Sequence, residues 1–309
     1  MRSEDKRNFG NIGPDLLSGG GAVGVVDQAE GLRRLVGVRA KPARVLAVTS
    51  GKGGVGKTNV AVNLSIALAQ CRKSVVLVDL DLGLANADIL LDMTPRYTLA
   101  HVVSGLRSLE DVMVPAVGGI HVVPGAAGVE RLANLGEAER AALVGSFDAL
   151  HRRADFIVFD TGAGISRNTT AFLSAADDII VVTVPEPTAI IDAYAVIKML
   201  AREPDHGDLF VLLNQTASRG EAERFAQGIS VTAHRLLNAY VEKLGYVLTD
   251  PRVGASVRQR RPFLLSYPTS PASECVRAIA RRIAYARSGA ASAARPGFVR
   301  RLWSALTGR

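Results

Sequence analysis

The sequence has little of several things, and each scarcity narrows what it can be. Two cysteines occur in 309 residues, Cys71 and Cys275, far apart and with no histidine or second cysteine at metal-ligand spacing. That excludes a disulfide-stapled scaffold and a cysteine-held cluster, and two lone thiols fit a reducing compartment. Aromatic residues make up only 5% of the chain while apolar residues make up 48%. The interior must then be built from Val, Ile, Leu and Ala, as in a buried parallel sheet covered by helices, which argues against a β-sandwich. No apolar run approaches the ~18 residues that span a bilayer. The longest strand-like one, Ile179–Val184, has the length of a core strand. The opening residues, Met1–Arg7, lack the apolar stretch of a secretory signal, so the expected location is the cytoplasm.

What is present begins with charge. Lys and Arg number 37 against 29 Asp and Glu, a formal net charge of +8, and arginines crowd the chain after Arg252. Such a surface draws polyanions, either nucleic acid or anionic lipid, and charge alone does not choose between them. Residues 1–26 mix charges with glycine and show neither helical nor strand period, as a flexible leader would. Over 27–41, Asp27 as N-cap and Glu30 three residues later form a capping box, with Leu32, Leu35 and Val36 on one face of a short helix. Thereafter apolar runs near 44–49, 75–79, 120–123, 156–160, 179–184, 210–214 and 246–248 alternate with Ala/Leu-rich helical stretches. This predicts one α/β domain over 42–287, a doubly wound, mainly parallel sheet flanked by helices. Ligands are then expected at the carboxyl ends of the strands. A last domain helix near 273–287, a small-residue linker over 288–297 and a separate helix over 298–309 complete the chain.

The first strand runs into Ser50-Gly51-Lys52-Gly53-Gly54-Val55-Gly56-Lys57-Thr58, with a helical pattern beyond Asn59. That is the phosphate-binding G-x-x-x-x-G-K-[ST] loop in its strand–loop–helix context. Glycines let backbone N–H groups turn inward around a phosphate, and the helix N-terminus adds partial positive charge. Lys57 then reaches the β/γ oxygens while Thr58 binds magnesium. Gly51, Gly53 and Gly56 also spell the dinucleotide fingerprint G-x-G-x-x-G, with Asp79 at about the distance of a ribose-binding acid. Lys57-Thr58 decides for ATP and Mg2+, because a dinucleotide site has no use for that lysine and hydroxyl. Phe156–Asp160 is an apolar strand ending in an acid, followed by the switch-like turn Thr161-Gly162-Ala163-Gly164. Asp79 and Asp81 close the preceding strand, one able to assist the magnesium shell and the other to orient water.

These motifs, Lys52–Thr58 with Asp79-Leu80-Asp81 and Asp160–Gly164, resemble the MinD/ParA group of deviant Walker A ATPases. Within it the likeness is to the flagellar FlhG (FleN, YlxH) family, covering about 27 to 309. Further matches are Asp27–Arg33, Gly83–Asp88, Pro185–Thr188 with Asp192-Ala193-Tyr194, and Tyr267–Ser273. The resemblance implies an ATPase that forms an ATP-bound homodimer, in which Lys52 crosses to the partner's phosphates and Asp81 positions the attacking water. It implies that Asp160, with Thr58 and Asp79, holds the metal, and that Asn214 holds the adenine. Asn59 stands where many relatives have a second threonine. Iron–sulfur relatives are pruned by the missing cysteine pairs. Plasmid-type partition ATPases, which bind nonspecific DNA, stay open as the alternative through Arg258-Gln259-Arg260-Arg261, although nucleic acid is not the preferred partner.

Two peripheral segments carry the expected partners. Asp27, Gln28, Ala29, Leu32 and Arg33 resemble the element by which FlhG proteins stimulate FlhF, a GTPase of the signal-recognition-particle class; a capped helix packed on the domain is the alternative. At the other end Phe298, Val299, Leu302, Trp303 and Leu306 fall on one face of a helix, opposite Arg300, Arg301, Ser304 and Thr307. That is an interfacial amphipathic helix suited to the anionic inner face of the cytoplasmic membrane, and the break at Pro296-Gly297 favours a detached element. The alternative is a helix packed on the protein's own surface.

Overall fold

A computed structural model describes residues 42–81, 86–125, 136–164, 167–203, 205–286 and 295–307. The leader, the 27–33 element and Gly83-Leu84-Ala85 lie outside the described residues. Eight strands form one sheet: β1 (Arg44–Thr49), β2 (Val75–Leu80), β3 (Val114–Ala116), β4 (Ile120–Val123), β5 (Phe156–Thr161), β6 (Asp178–Thr183), β7 (Asp208–Thr216) and β8 (Val241–Leu248). Their order is β3-β4-β2-β5-β1-β6-β7-β8, and every pairing is parallel except β3 with β4. The doubly wound, mainly parallel sheet expected from the alternation is present.

The helices are α1 (Lys57–Gln70), α2 (Ala87–Leu90), α3 (Leu99–Val103), α4 (Leu109–Val112), α5 (Glu137–His151), α6 (Arg167–Ala175), α7 (Pro187–Leu200), α8 (Arg219–Leu237), α9 (Pro251–Arg258), α10 (Phe263–Ser266), α11 (Pro271–Tyr285) and α12 (Phe298–Thr307). One core layer joins the sheet to α1, α2, α10 and α11, and the other joins it to α3–α8 and α12. Strands β1, β2, β5 and β6 are covered on both faces, which is why they read as unbroken apolar runs. Helix α1 is buried nearly all round, wedged between sheet and α11. Its polar residues are satisfied internally: Asn63 donates to the Asn59 carbonyl and accepts from the Leu264 N–H, and Ser65 donates to the Ala61 carbonyl. Four of the nine phenylalanines gather in one knot, where Phe147, Phe159, Phe172 and Phe298 meet edge to face at centroid distances of 5.6 to 6.4 Å.

Three boundaries differ from expectation. β3 was not anticipated, because Val114-Pro115-Ala116 is too short to show a period and its proline suits only an edge. β8 begins at Val241 rather than 246, since this opposite edge strand carries Glu242 and Lys243 and loses the apolar run. α11 starts at Pro271, capped by the Ser270 hydroxyl, which accepts from the Ser273 N–H.

The tail departs from the expectation of a detached helix. α12 lies along α6 and against α5, with Phe298 and Leu302 buried and Val299, Trp303 and Leu306 partly buried on the same core. Arg301, placed on the solvated face by the helical wheel, is buried too. The wheel locates the apolar stripe correctly but cannot see that Phe298, Arg301 and Leu302, at i, i+3 and i+4, present a shared side to a groove containing an acid.

Candidate functional site

The loop between β1 and α1 is held by its neighbours at two glycines. A side chain at Gly51 would lie 2.2 Å from the backbone of Asp192 on α7. Gly56 has a φ of +86°, and a Cβ there would stand 2.4 Å from Asn214 Nδ2. Asn214, buried at the end of β7, donates that Nδ2 to the Val55 carbonyl at 2.8 Å. Asn214 therefore supports the loop from beneath. Ser50 donates its hydroxyl to the Lys52 carbonyl, and Gly164 N–H donates to the Ser50 carbonyl, tying the Asp160–Gly164 turn to the loop. Gly53 and Gly54 are exposed, Val55 is buried and Asn59 half-buried.

Two acids from adjacent strands, Asp79 and Asp160, and Asp81 just past the end of β2 converge beneath Lys57. Its buried ammonium lies 2.6 Å from Asp160 Oδ1, 3.9 Å from Asp81 Oδ2, and donates to the Thr58 hydroxyl at 3.4 Å. Asp160 sits opposite Asp79 in the β2–β5 register, so parallel pairing brings the two carboxylates side by side. Burial pushes the Asp160 carboxyl up, against the pull of Lys57 and Thr58. Asp79, pushed to about 7 by burial and then by the Asp160 charge, accepts from the Asp81 and Ala87 N–H groups at 3.0 and 3.2 Å. Both its oxygens thus anchor the segment that carries Asp81. Asp81 is partly exposed and approaches Gly162, where a Cβ would come within 3.4 Å of its Oδ1.

Whether these groups fit a magnesium nucleotide can be judged from the geometry. Asp160 Oδ2 is fully buried with no hydrogen-bond partner among the described residues, an acceptor of the kind a hard cation takes. Thr58, Asp160 and Lys57 lie together where the loop meets α1, and the exposed glycine turn bares backbone donors. The residues fit. Magnesium there would screen the γ-phosphate charge, while Lys57 and the loop N–H groups orient the phosphates and Asp81 lies on the side open to water.

Lys52 is placed differently from Lys57. It is half-exposed at the rim, its Nζ 3.1 Å from Glu186 Oε2 and 3.3 Å from the Thr188 hydroxyl at the start of α7. Glu186 and Thr188 are visible in the sequence only as part of the Pro185–Thr188 match, with nothing local to pair them with a lysine 134 residues away.

Residues 43–203 match a family described as an AAA domain. The antiactivator FleN of Pseudomonas aeruginosa is 39% identical over 242 residues, covering 78% of this chain and 86% of its own. The flagellum site-determining protein YlxH of Helicobacter pylori is 33% identical over 219 residues, covering 71% and 74%. Among solved structures, the septum site-determining protein MinD of Pyrococcus horikoshii with Mg-ADP superposes with a TM-score of 0.66 at 26% identity, covering 78% and 96%. Fold and site together define a P-loop ATPase of the MinD/ParA type, which binds ATP with Mg2+ and hydrolyses it to ADP and phosphate. Within that class the chain belongs to the FlhG/FleN (YlxH) family of flagellar MinD-like ATPases.

Proposed function

We propose that this ATPase works as a dimerising switch whose nucleotide state sets its attachment to the cytoplasmic membrane, and through that the number or placement of flagella. The observation that carries this reading is the division between two lysines on one loop. Lys57 is buried among acids, whereas Lys52 is held at the rim by Glu186 and Thr188. A rim cation held by an exposed pair contributes little to its own subunit, and is free to exchange Glu186 for the phosphates of a second copy. In this reading Thr58 and Asp160 hold magnesium, with Asp79 bracing the loop behind them, and Asp81 orients water. Asn214 keeps the loop in shape beside the base.

The tail supplies the membrane contact. Five apolar side chains at ~1.5–3 kcal/mol each if fully buried set an upper limit that helix ordering and partial burial reduce. One tail then binds weakly, and two tails on one ATP dimer gain ~10²–10⁴ in avidity. Because α12 is docked on its own domain, membrane binding requires its release. No helix among the described residues is long and apolar enough to cross a membrane, so attachment is peripheral. The leader element Asp27–Arg33 is assigned the stimulation of an FlhF-type GTPase.

Co-sedimentation with anionic vesicles and with nonspecific duplex DNA, each with ATP and with ADP, tests the reading. ATP-dependent capture by vesicles is expected. Capture by DNA without vesicles would instead favour a partition ATPase acting through the exposed Arg258, Arg260 and Arg261.

A further inference from the structure

Six residues other than glycine hold a positive φ among the described residues, and five of them, Arg72, Asp92, Asp205, Asn238 and Arg260, lie outside helices and strands. The sixth, Gln215, sits inside β7 with a φ of 53°. A left-handed residue in a strand is strained, and the strand pays in pairing too. Leu213 pairs with Tyr246 and Thr216 with Leu248, so three steps along β7 meet two along β8 in a bulge. The bulge changes where Gln215 is aimed. Neighbours in a regular strand face opposite sides, yet Asn214 and Gln215 both come to the phosphate loop: a Cβ at Gly56 would lie 2.4 Å from Asn214 Nδ2 and 3.9 Å from Gln215 Nε2. The two amides are not equivalent there. Asn214 is buried and donates to the Val55 carbonyl. Gln215 is exposed, and its amide has no hydrogen-bond partner among the described residues.

The strand order fixes which part of a nucleotide faces this amide. β1, which carries the loop, stands between β5 and β6. Asp160 on β5, with Asp79 and Asp81 at the end of β2, all lie on the β5 side of it. Magnesium and the attacked γ-phosphate belong with those acids, so the sugar and base extend the other way, toward β6 and β7. Asn214 and Gln215 stand on that side. The end of β8 backs them, because the Thr249 N–H donates to the Thr216 carbonyl at 2.9 Å and the Thr216 hydroxyl donates to the Val247 carbonyl at 3.4 Å.

We propose that Gln215 is the specificity-determining residue for the base, and that its amide selects adenine over guanine. This rests on the assignment of Thr58, Asp160 and Asp81 to the phosphate end of the site, and it names what holds the opposite end. A carboxamide presents one acceptor and one donor side by side. Adenine offers the complement on its N7 edge, where the N6 amino group donates and N7 accepts. Guanine offers N7 and O6 on the same edge, two acceptors, so the amide oxygen would face O6 with no proton between them. The left-handed backbone holds the amide beside the loop before the nucleotide arrives, which is a use for strain that the strand itself does not need. Asn214 cannot take this part while it props Val55.

Equilibrium binding to the full chain with Mg2+, by competition against a fluorescent ATP analogue, tests this. The wild type is expected to bind 7-deaza-ATP, which lacks the N7 acceptor, more weakly than ATP, and to bind GTP more weakly than ATP. Gln215→Gly removes the amide while suiting the φ of 53°, so its melting temperature should be no lower than that of the wild type. Its preference for ATP over GTP should shrink ~5–150-fold, the range that one bidentate amide–base pair is worth, and it should bind ATP and 7-deaza-ATP alike. A bulge that served only to close β7 on β8 would give the reverse, a changed melting temperature with the base preference intact. Wild-type preference for ATP in Gln215→Gly would overturn the proposal, and equal affinity of the wild-type chain for ATP and 7-deaza-ATP would overturn it without any variant. Asp160→Asn separates this from the reading beneath it. That variant should weaken magnesium-dependent binding of ATP and GTP equally and leave their ratio unchanged; magnesium dependence kept in it would sink the placement of the phosphate end, which a failure at Gln215 leaves standing.

Discussion

At the scale of single residues, the site depends on which charge is buried and which is not. Lys57 is enclosed by Asp160 and Asp81, so ligand phosphates must draw it away from acids it already neutralises. Lys52 has only an exposed glutamate and a hydroxyl to leave. Lys52→Ala is accordingly expected to keep nucleotide affinity and lose ATP-dependent dimerisation, with turnover down by the ~10³–10⁵ that a trans cation supplies at a transferring phosphoryl group. Light scattering that still finds an ATP dimer in the variant would remove Lys52 from the trans role. Asp81→Ala takes away the partly exposed acid beside Gly162 but none of the buried groups that hold the loop. It should bind ATP and dimerise while hydrolysis falls ~10²-fold or more, as loss of a positioned base does. Normal phosphate release by Asp81→Ala would reassign the water-orienting role.

At the scale of elements, α12 depends on its neighbours for burial. Its apolar side is buried against α5, α6 and the aromatic knot, where the His151 ring stacks on Phe298 at 5.3 Å. Burial holds the His151 imidazole below its ordinary value of 6.5, with Arg301 adding to that, while Asp177 and Asp148 pull the other way. Because the docked state prefers the neutral ring, its contribution is complete above pH 6.5 and is lost as pH falls through the lowered value. Iodide quenching of Trp303 is therefore expected to rise on acidification below about pH 6.5, and His151→Leu should flatten that response. An unchanged profile in His151→Leu would place the titrating group elsewhere. The edge strands show a related limit: among the described residues β3 and β8 each pair on one side only, and their short or charged sequences follow from that position.

For the whole molecule, the nucleotide site and the tail occupy opposite ends of the same sheet, so ligand control of attachment must pass through the fold. The leader's proposed partner is a second nucleotide-hydrolysing protein. A peptide of residues 1–40 is expected to raise the GTP turnover of a cognate FlhF-type GTPase. Gln28→Ala should weaken that effect, because an amide able to orient water is lost. Deleting 1–36 should spare ATP hydrolysis, since β1 and the phosphate loop begin later. If the deletion unfolds the domain, or the peptide leaves GTP turnover unchanged, the segment is structural.

The phosphate loop, the acid-terminated strand Phe156–Asp160 and the parallel sheet were legible in the sequence because each is written locally. A strand covered on both faces must be apolar throughout, and a loop that turns N–H groups inward needs its glycines and lysine within nine residues. What only the tertiary structure decided is which distant groups meet. Asp160 reaches Lys57 across 103 residues, Glu186 reaches Lys52 across 134, and Asp177 reaches Arg301 across 124. Asn214, a strand-end residue in the sequence, became the prop beneath the loop only when β7 was placed beside β6. The amphipathic pattern of the tail fixed that it has an apolar side but not what covers it. A helix's period records its own faces, whereas the groove that accepts Phe298 and Arg301 is made by α5, α6 and the ends of β1 and β6, whose assembly no single segment encodes.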